Sequence, residues 1–404
     1  MTKNNGKNNQ NESKQDEKFW GMVFFTNFAM SMWLEVESIK TYDSINHPMK
    51  HIYFISLMMK TIQQDAKTMR QVKFITLLIL LFGASSSNTL PEASPFTPPT
   101  GEFSTPLDSI RLSDPAILAD KKTQMYYMTG TGGMMWRSKD LMLWDGPYRV
   151  TEFDKDSWMG PRPMIWAAEL HLIDGKYYYF ATFTNREVKI DTYRGNVIER
   201  RACQVLQADN PMGPYRAFGD ATYLPADRPT LDGTFWRDTD GKPYMVFCGE
   251  WLQNWNGTIE KIELKPDFSG TIGSPKVLFR ASDSPWSREK DEEGNVTWNK
   301  VTDGPWLFRT ATGRLGMLWT SWVFGDYTQG VAYSESGTLD GPWMQEPEPI
   351  TPPNYGHSML FQRFDGQWMM SVHSHAKDSR GRTVRTPHLF EVDLSGDRIV
   401  VKTQ

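Results

Sequence analysis

Cysteine is almost absent: Cys203 and Cys248 are the only two in 404 residues. That excludes a disulfide-stapled scaffold, and neither residue has a second ligand at zinc spacing. Both stand in strand-like apolar runs, ACQVLQA and YMVFCGEW, where a free buried thiol is the expectation and a single disulfide the alternative. An excess of either charge is also lacking. The 44 Lys and Arg against 48 Asp and Glu give a net charge of -4, spread evenly and with no basic stripe, so a nucleic-acid partner is not expected. Long 3.6-residue periodicities are scarce, which argues against a helical bundle. What is plentiful is Gly, Pro and aromatics: 31 Gly, 25 Pro and 13% aromatic content, with short apolar runs alternating with turn signals after about residue 105. The fold class this implies is all-β.

Long apolar segments are equally rare. The clearest is Met69 to Ser87, MRQVKFITLLILLFGASSS, with basic residues at Arg70 and Lys73, an apolar core from Phe74 to Phe82 and small residues suited to cleavage. This is the pattern of a secretory signal peptide (69–87); the core is too short to cross a bilayer, a buried internal segment or membrane anchor being the alternative. Because such signals start chains, Met69 is the expected initiator and residues 1–68 an upstream extension outside the fold. No Cys follows the apolar core, which argues against a lipid anchor. Residues 88–104, rich in Ser, Thr and Pro, read as a linker, and 105–404 as the folded domain. The mature protein is expected to be exported, periplasmic or extracellular, with no membrane span.

The folded part repeats itself. Asp114, Glu169, Asp232 and Asp303 each open a module of apolar lead-in, Gly-bearing turn and aromatic-rich strand, and His357 opens a fifth. The five anchors are 55, 63, 71 and 54 residues apart, a period suited to one four-stranded antiparallel blade with its loops. Five units predict a five-bladed β-propeller, with a β-sandwich as the alternative. Turn signals at Asp174-Gly175, Asp240-Gly241, Thr312-Gly313 and Asp365-Gly366 predict tight hairpins between the first two strands. Gly-Pro-aromatic at Tyr148, Tyr215 and Trp343 predicts an aromatic tucked between blades.

In a propeller the innermost strand of each blade lines a central channel, so these acidic residues would gather in one small space. Carboxylates crowded there repel each other and lose hydration, and chemistry or cation binding is the usual reason to keep them. Each has a simpler reading. Asp114-Pro115 could be only a turn, Asp232 could satisfy backbone amides at the Gly233 turn, and His357 could be a hydrogen-bonded core residue. Trp158, Trp166, Trp251 and Trp322 offer flat faces on which a ligand ring could stack, or serve as packing. The polar stretch from Ala281 to Lys300 reads as a mobile loop near the site.

The modules carry a family likeness. DPAIL at Asp114, WAAELH from Trp166 to His171, LDGTFWRDTDGKPYMVF with Asp232, TDGPWLFRT with Asp303 and GHSMLF with His357 resemble, in order, the blades of glycoside hydrolase family 43, whose members act on arabinose- and xylose-containing plant polysaccharides. The chain departs at two places: Asp303-Gly304-Pro305 stands where the family has Glu-Gly-Pro, and Ala168 where it has the Pro of Trp-Ala-Pro. The resemblance implies inverting hydrolysis with Asp114 as general base, Asp303 as general acid and Asp232 raising the acid's pKa. It leaves Glu169 as a sugar ligand, an alternative acid or a partner for Arg162, and implies a calcium ion near His357 with no organic cofactor. The substrate expected is an α-L-arabinofuranosyl or related pentosyl linkage in a plant cell-wall polysaccharide, with β-xylosidase, endo-arabinanase or a non-catalytic carbohydrate-binding propeller as alternatives.

Overall fold

The computed structural model describes residues 100–218 and 228–402, without the side chain of Asn254. The expected extension (1–68), the signal peptide (69–87) and the linker up to residue 99 lie outside the described residues. Residues 100–104 run without regular structure, and Phe103 lies under the cationic ends of Arg137 and Lys139 at 5.4 and 5.0 Å.

Five antiparallel strand groups, here called sheets, follow in chain order, the last two joined by a parallel bridge between Thr328 and Tyr355. The first holds Ala116–Asp120, Met125–Thr129, Met134–Ser138 and Leu143–Arg149, with Thr105–Pro106 on its edge. The second holds Met164–Ile173, Lys176–Tyr193, Asn196–Ala208 and Arg216–Ala217; the third Thr230–Arg237, Pro243–Gly249, Thr258–Leu264 and Thr271–Arg280. The fourth comprises Asp303–Arg309, Leu315–Val323, Asp326–Ser334 and Trp343–Gln345, and the fifth Tyr355–Gln362, Trp368–Ser374, Pro387–Asp393 and Val400–Lys402. Within each sheet the strands pair in sequence order. The first strands neighbour one another in turn, and the first strand of the fifth sheet lies beside that of the first.

Period-two alternation on strands apolar on both faces explains the packing. In KYYYFATF, Tyr177, Tyr179, Ala181 and Phe183 join a core with Tyr127 and Met135 of the first sheet. The intervening Tyr178 and Phe180 join Met245 and Phe247 of the third. Three more cores couple the third sheet to the fourth, the fourth to the fifth, and the fifth back to the first, where Phe361 and Met369 meet Ile117 and Trp144. Each buried aromatic or large aliphatic side chain stabilises by roughly 1.5–3 kcal/mol. Tyr215 is buried between sheets, and the half-buried Tyr148 and Trp343 pack against inter-sheet cores as expected, the Tyr148 hydroxyl on Asp145. Both cysteines are buried and free.

Two expectations need correction. Only Asp174-Gly175 forms a two-residue hairpin, with φ of 50° and 83° and Ile173 paired to Lys176. The other three turns are five-residue loops, 238–242, 310–314 and 363–367, closed by the amides of Gly241, Gly313 and Gly366 and needing positive φ only at that glycine. The 281–300 stretch is a folded hairpin rather than a loose loop. Arg288–Lys290 pairs with Val296–Trp298, Arg288 bridges to Val323, and Trp286 is 1% exposed against Trp319. Its buried anchor, Trp286, is what the charged composition of the stretch concealed.

Candidate active site

Each sheet enters its first strand through a residue with left-handed backbone: Asp114 (φ 58°), Ala167 (40°), Asp232 (55°), Gly304 (51°) and His357 (54°). Four of the five are not glycine, a conformation that costs energy and persists only when the surroundings hold it. A bulge follows at the last four, between Trp166 and Glu169, Leu231 and Thr234, Asp303 and Trp306, and Gly356 and Met359. The holding contact comes from the preceding sheet. The amides of Ala167, Asp232 and His357 donate to the hydroxyls of Thr131, Thr182 and Thr320 at 3.0, 2.9 and 2.8 Å. That of Asp114 donates to Nδ1 of His373 in the fifth sheet at 3.0 Å.

These positions correct the expected equivalence of the anchors. Asp114, Asp232 and His357 occupy the left-handed position, but Asp303 precedes it by one residue and Glu169 follows Ala167 by two. The bulge sends Glu169 inward, where it is 1% exposed and bonded to Nε2 of His171 at 2.8 Å. Its partner is thus His171 and not Arg162, and burial raises its pKa against the pull of that imidazole.

Asp114, Asp232, Asp303 and His357 converge. Nδ1 of His357 lies 3.2 Å from Oδ1 of Asp114 and 3.5 Å from the Tyr327 hydroxyl, which donates to Oδ2 of Asp303 at 3.0 Å. Oδ2 of Asp232 accepts the amide of Gly304 at 2.9 Å, and the Thr131 hydroxyl donates to Oδ2 of Asp114. Through the His357 ring and the Tyr327 hydroxyl, the Asp114 and Asp303 carboxyls belong to one connected cluster.

The environments drive the carboxyls apart. Burial would raise Asp114, but His357, His373 and the Thr131 hydroxyl outweigh it and hold the group below the ordinary carboxylate value. Burial and then the charge of Asp232 push Asp303 up to about 7, against His357 and Tyr327. Asp232 is raised by burial and by Asp114, with His357, the Gly304 amide and Arg201 favouring its charged form. Burial opposes protonation of His357, yet Asp114, Asp232, Asp303 and Glu169 together raise it.

The tryptophans divide. Trp158 is buried in the core between the first two sheets, its Nε1 on Gln204 at 2.6 Å. Trp166, half-buried with Nε1 on Thr184 at 3.1 Å, lines a cavity of about 780 Å3 together with Thr131, Arg162, Met164, Asn185 and Arg186. Since Thr131 is also the Asp114 partner, this cavity adjoins the carboxylate cluster. Trp251 lies in the short helix Trp251–Asn254 with Lys300 Nζ 5.1 Å over its ring, and Trp322 packs on Tyr327 and the edge of His375. Tyr327, Thr131, His373 and His375 were not singled out from the sequence. The His-Ser-His at 373–375 was the available signal; the Tyr and Thr gave none.

The calcium ion implied by the resemblance finds one unfilled donor, Nε2 of His357, which is buried and without a hydrogen-bond partner. Calcium prefers six to eight oxygens. No group of three or more ligating side chains occurs among the described residues, so the fit is to an ion held by one nitrogen and water.

Comparison with known proteins gives the class. Residues 103–398 match Glycosyl hydrolases family 43, and the chain belongs to that family. It is similar to an endo-arabinase from Bacteroides thetaiotaomicron, 36% identical, covering 71% of this chain and 96% of that one with a TM-score of 0.61. A thermostable family-43 glycoside hydrolase, 18% identical with a TM-score of 0.60 over 75% of this chain and 96% of its own, shares the fold. An extracellular endo-alpha-(1->5)-L-arabinanase of Thermotoga petrophila is 27% identical over 190 residues, 38% of this chain; the match spans only 36% of that relative's length.

Proposed function

We propose that this chain is an exported inverting hydrolase that cleaves α-L-arabinofuranosyl linkages within arabinan, its five sheets closed into a five-bladed propeller around the carboxylate cluster. The observation that carries the chemistry is the opposite treatment of two nearby carboxyls, Asp114 held ionised and Asp303 held protonated to about 7. Asp114 takes a proton from the attacking water, Asp303 gives one to the departing glycosidic oxygen, and the charge of Asp232 keeps the acid's proton in place. Closure is supported by the five cores in cyclic order and by the amide of Asp114 reaching the fifth sheet.

Trp166 and the cavity beside Thr131 take sugar rings next to the scissile bond; Trp251 and Trp322, on other sheets, offer further stacking faces. Trp158 and Glu169 support the site from beneath, since both are buried and bonded. A calcium ion on His357 would add positive charge beneath the carboxylates. Endo rather than terminal cleavage is favoured because the relative with 36% identity is an endo-arabinase. Export is favoured by the 69–87 segment and by the extracellular arabinanase relative, and no described helix is long and apolar enough to cross a membrane.

Product analysis on linear arabinan, branched arabinan and arabinoxylan, with the anomer followed by NMR, tests the reading. Internal oligosaccharides released from linear arabinan with inverted configuration are expected. Release of arabinose alone would assign terminal cleavage, xylo-oligosaccharides would assign xylan, and binding without products would leave a carbohydrate-binding propeller. Sequencing of the secreted product should find nothing upstream of Met69.

A further inference from the structure

Threonine hydroxyls receive the left-handed amide at Ala167, Asp232 and His357, but at Asp114 the acceptor is an imidazole. A hydroxyl ends such a contact, whereas an imidazole has a second nitrogen that continues it. Nε2 of His373 lies 3.0 Å from Nε2 of His375, which also receives the Nε–H of Arg385 at 3.1 Å. The donors dictate the tautomers. Because Nδ1 of His373 accepts the Asp114 amide, its proton is on Nε2 and is donated to His375. Nε2 of His375 therefore has no proton, and both rings are neutral. Burial, joined by the Arg385 charge, keeps both imidazoles in that form, lowered to about 3 and about 4.

The same two rings touch the other half of the site. Tyr327, which donates to Asp303, stacks on His373 at 5.4 Å and 24° and on His375 at 4.6 Å and 21°. Arg385 is itself anchored, its carbonyl accepting the amide of Leu112 at 3.2 Å just ahead of Asp114.

We propose that His373, His375 and Arg385 form a positioning chain that fixes Asp114 in its left-handed conformation and, through the rings stacked on Tyr327, sets its place relative to Asp303. The chain touches no reacting atom and acts through the two aspartates. A neutral Nδ1 directed at the Asp114 amide also offers no proton to Oδ1, 3.3 Å away, so the carboxylate stays free to act as base. The inference rests on Asp114 being the base.

The test is His373→Thr, which supplies the hydroxyl acceptor used at the other three positions while ending the chain there. It is expected to melt within a few degrees of wild type and to lower kcat by about 30-fold with KM within about twofold, because a misplaced base slows the step without loosening substrate binding. Arg385→Gln removes the exposed end of the chain without a risk to folding, and is expected to lower kcat by about 3- to 10-fold at unchanged KM. If both variants turn over as wild type does while Asp114→Asn is inactive, the chain is overturned and the base stands. If Asp114→Asn keeps normal activity, the reading of the site beneath it has failed instead.

Discussion

The amide of Gly304 donates to the carboxylate of Asp232 at 2.9 Å, tying the third sheet's left-handed residue to the chain segment that carries Asp303. In the neighbouring sheets this amide goes to the side chain paired opposite the preceding residue, namely Thr182, Thr320 and His373. The corresponding residue of the third sheet is Cys248, opposite Leu231, and a thiol is a weak acceptor. Asp232 supplies the missing acceptor, and the bond favours its charged form, against the burial that raises its pKa, one residue from Asp303.

Hydrolysis should therefore fall as pH rises through about 7, where Asp303 loses its proton, and stay level on the acid side until Asp114, held below 3.8, is protonated. Asp232→Asn removes the like charge and should move the basic limb of kcat/KM down by about one pH unit, besides lowering its height. A limb that stays in place would show that burial alone sets the acid.

Asp303→Asn should trade activity for stability. The folded pKa of Asp303 is raised above its unfolded value of 3.8, so between about 4 and about 7 the folded state binds more protons than the unfolded one and stability falls with rising pH. Above pH 7 that loss is complete. The Asn variant avoids it and should be more stable than wild type by about 1–3 kcal/mol at pH 8, with little difference at pH 4. Denaturant titrations at the two pH values measure this; equal gains at both would dissociate the effect from ionisation.

Chelation tests the ion. If a hydrated calcium occupies the free nitrogen of His357, chelator should lower both the melting temperature and kcat, and added calcium should restore them. No change in either quantity removes the metal, leaving protonated His357 as the counter-charge to the carboxylates.

The 281–300 hairpin depends on one side chain. Trp286→Ala should cost about 3–5 kcal/mol, as loss of a buried Trp does. Gly330 lies under the same ring, where an added Cβ would come within 2.1 Å of Cζ2, so Gly330→Ala should destabilise by about 1–3 kcal/mol. Thermal unfolding of the two single variants and the double variant, with non-additive losses expected, checks that they share one contact.

Much of this was readable beforehand. The recurrence of Asp114, Asp232, Asp303 and His357 in similar blocks located the converging residues, because a repeated module places equivalent positions equivalently. Glu169 shows the limit of that argument. It falls at the right spacing, but the left-handed residue of its module is Ala167, so Glu169 reaches inward from two residues further along rather than from the equivalent position. Tyr327 and Thr131 were illegible because each acts on a residue of a different strand or sheet, with no local pattern to mark it.

The amino-acid order alone determined the five modules, their β character and the aspartates that open three of them, since period-two apolar runs and Gly-bearing turns are local properties. Tertiary structure decided the protonation of those aspartates. A carboxyl's pKa is set by burial and by charges within a few ångströms, and for Asp114 and Asp303 those neighbours, His357 and Asp232, lie 243 and 71 residues away along the chain.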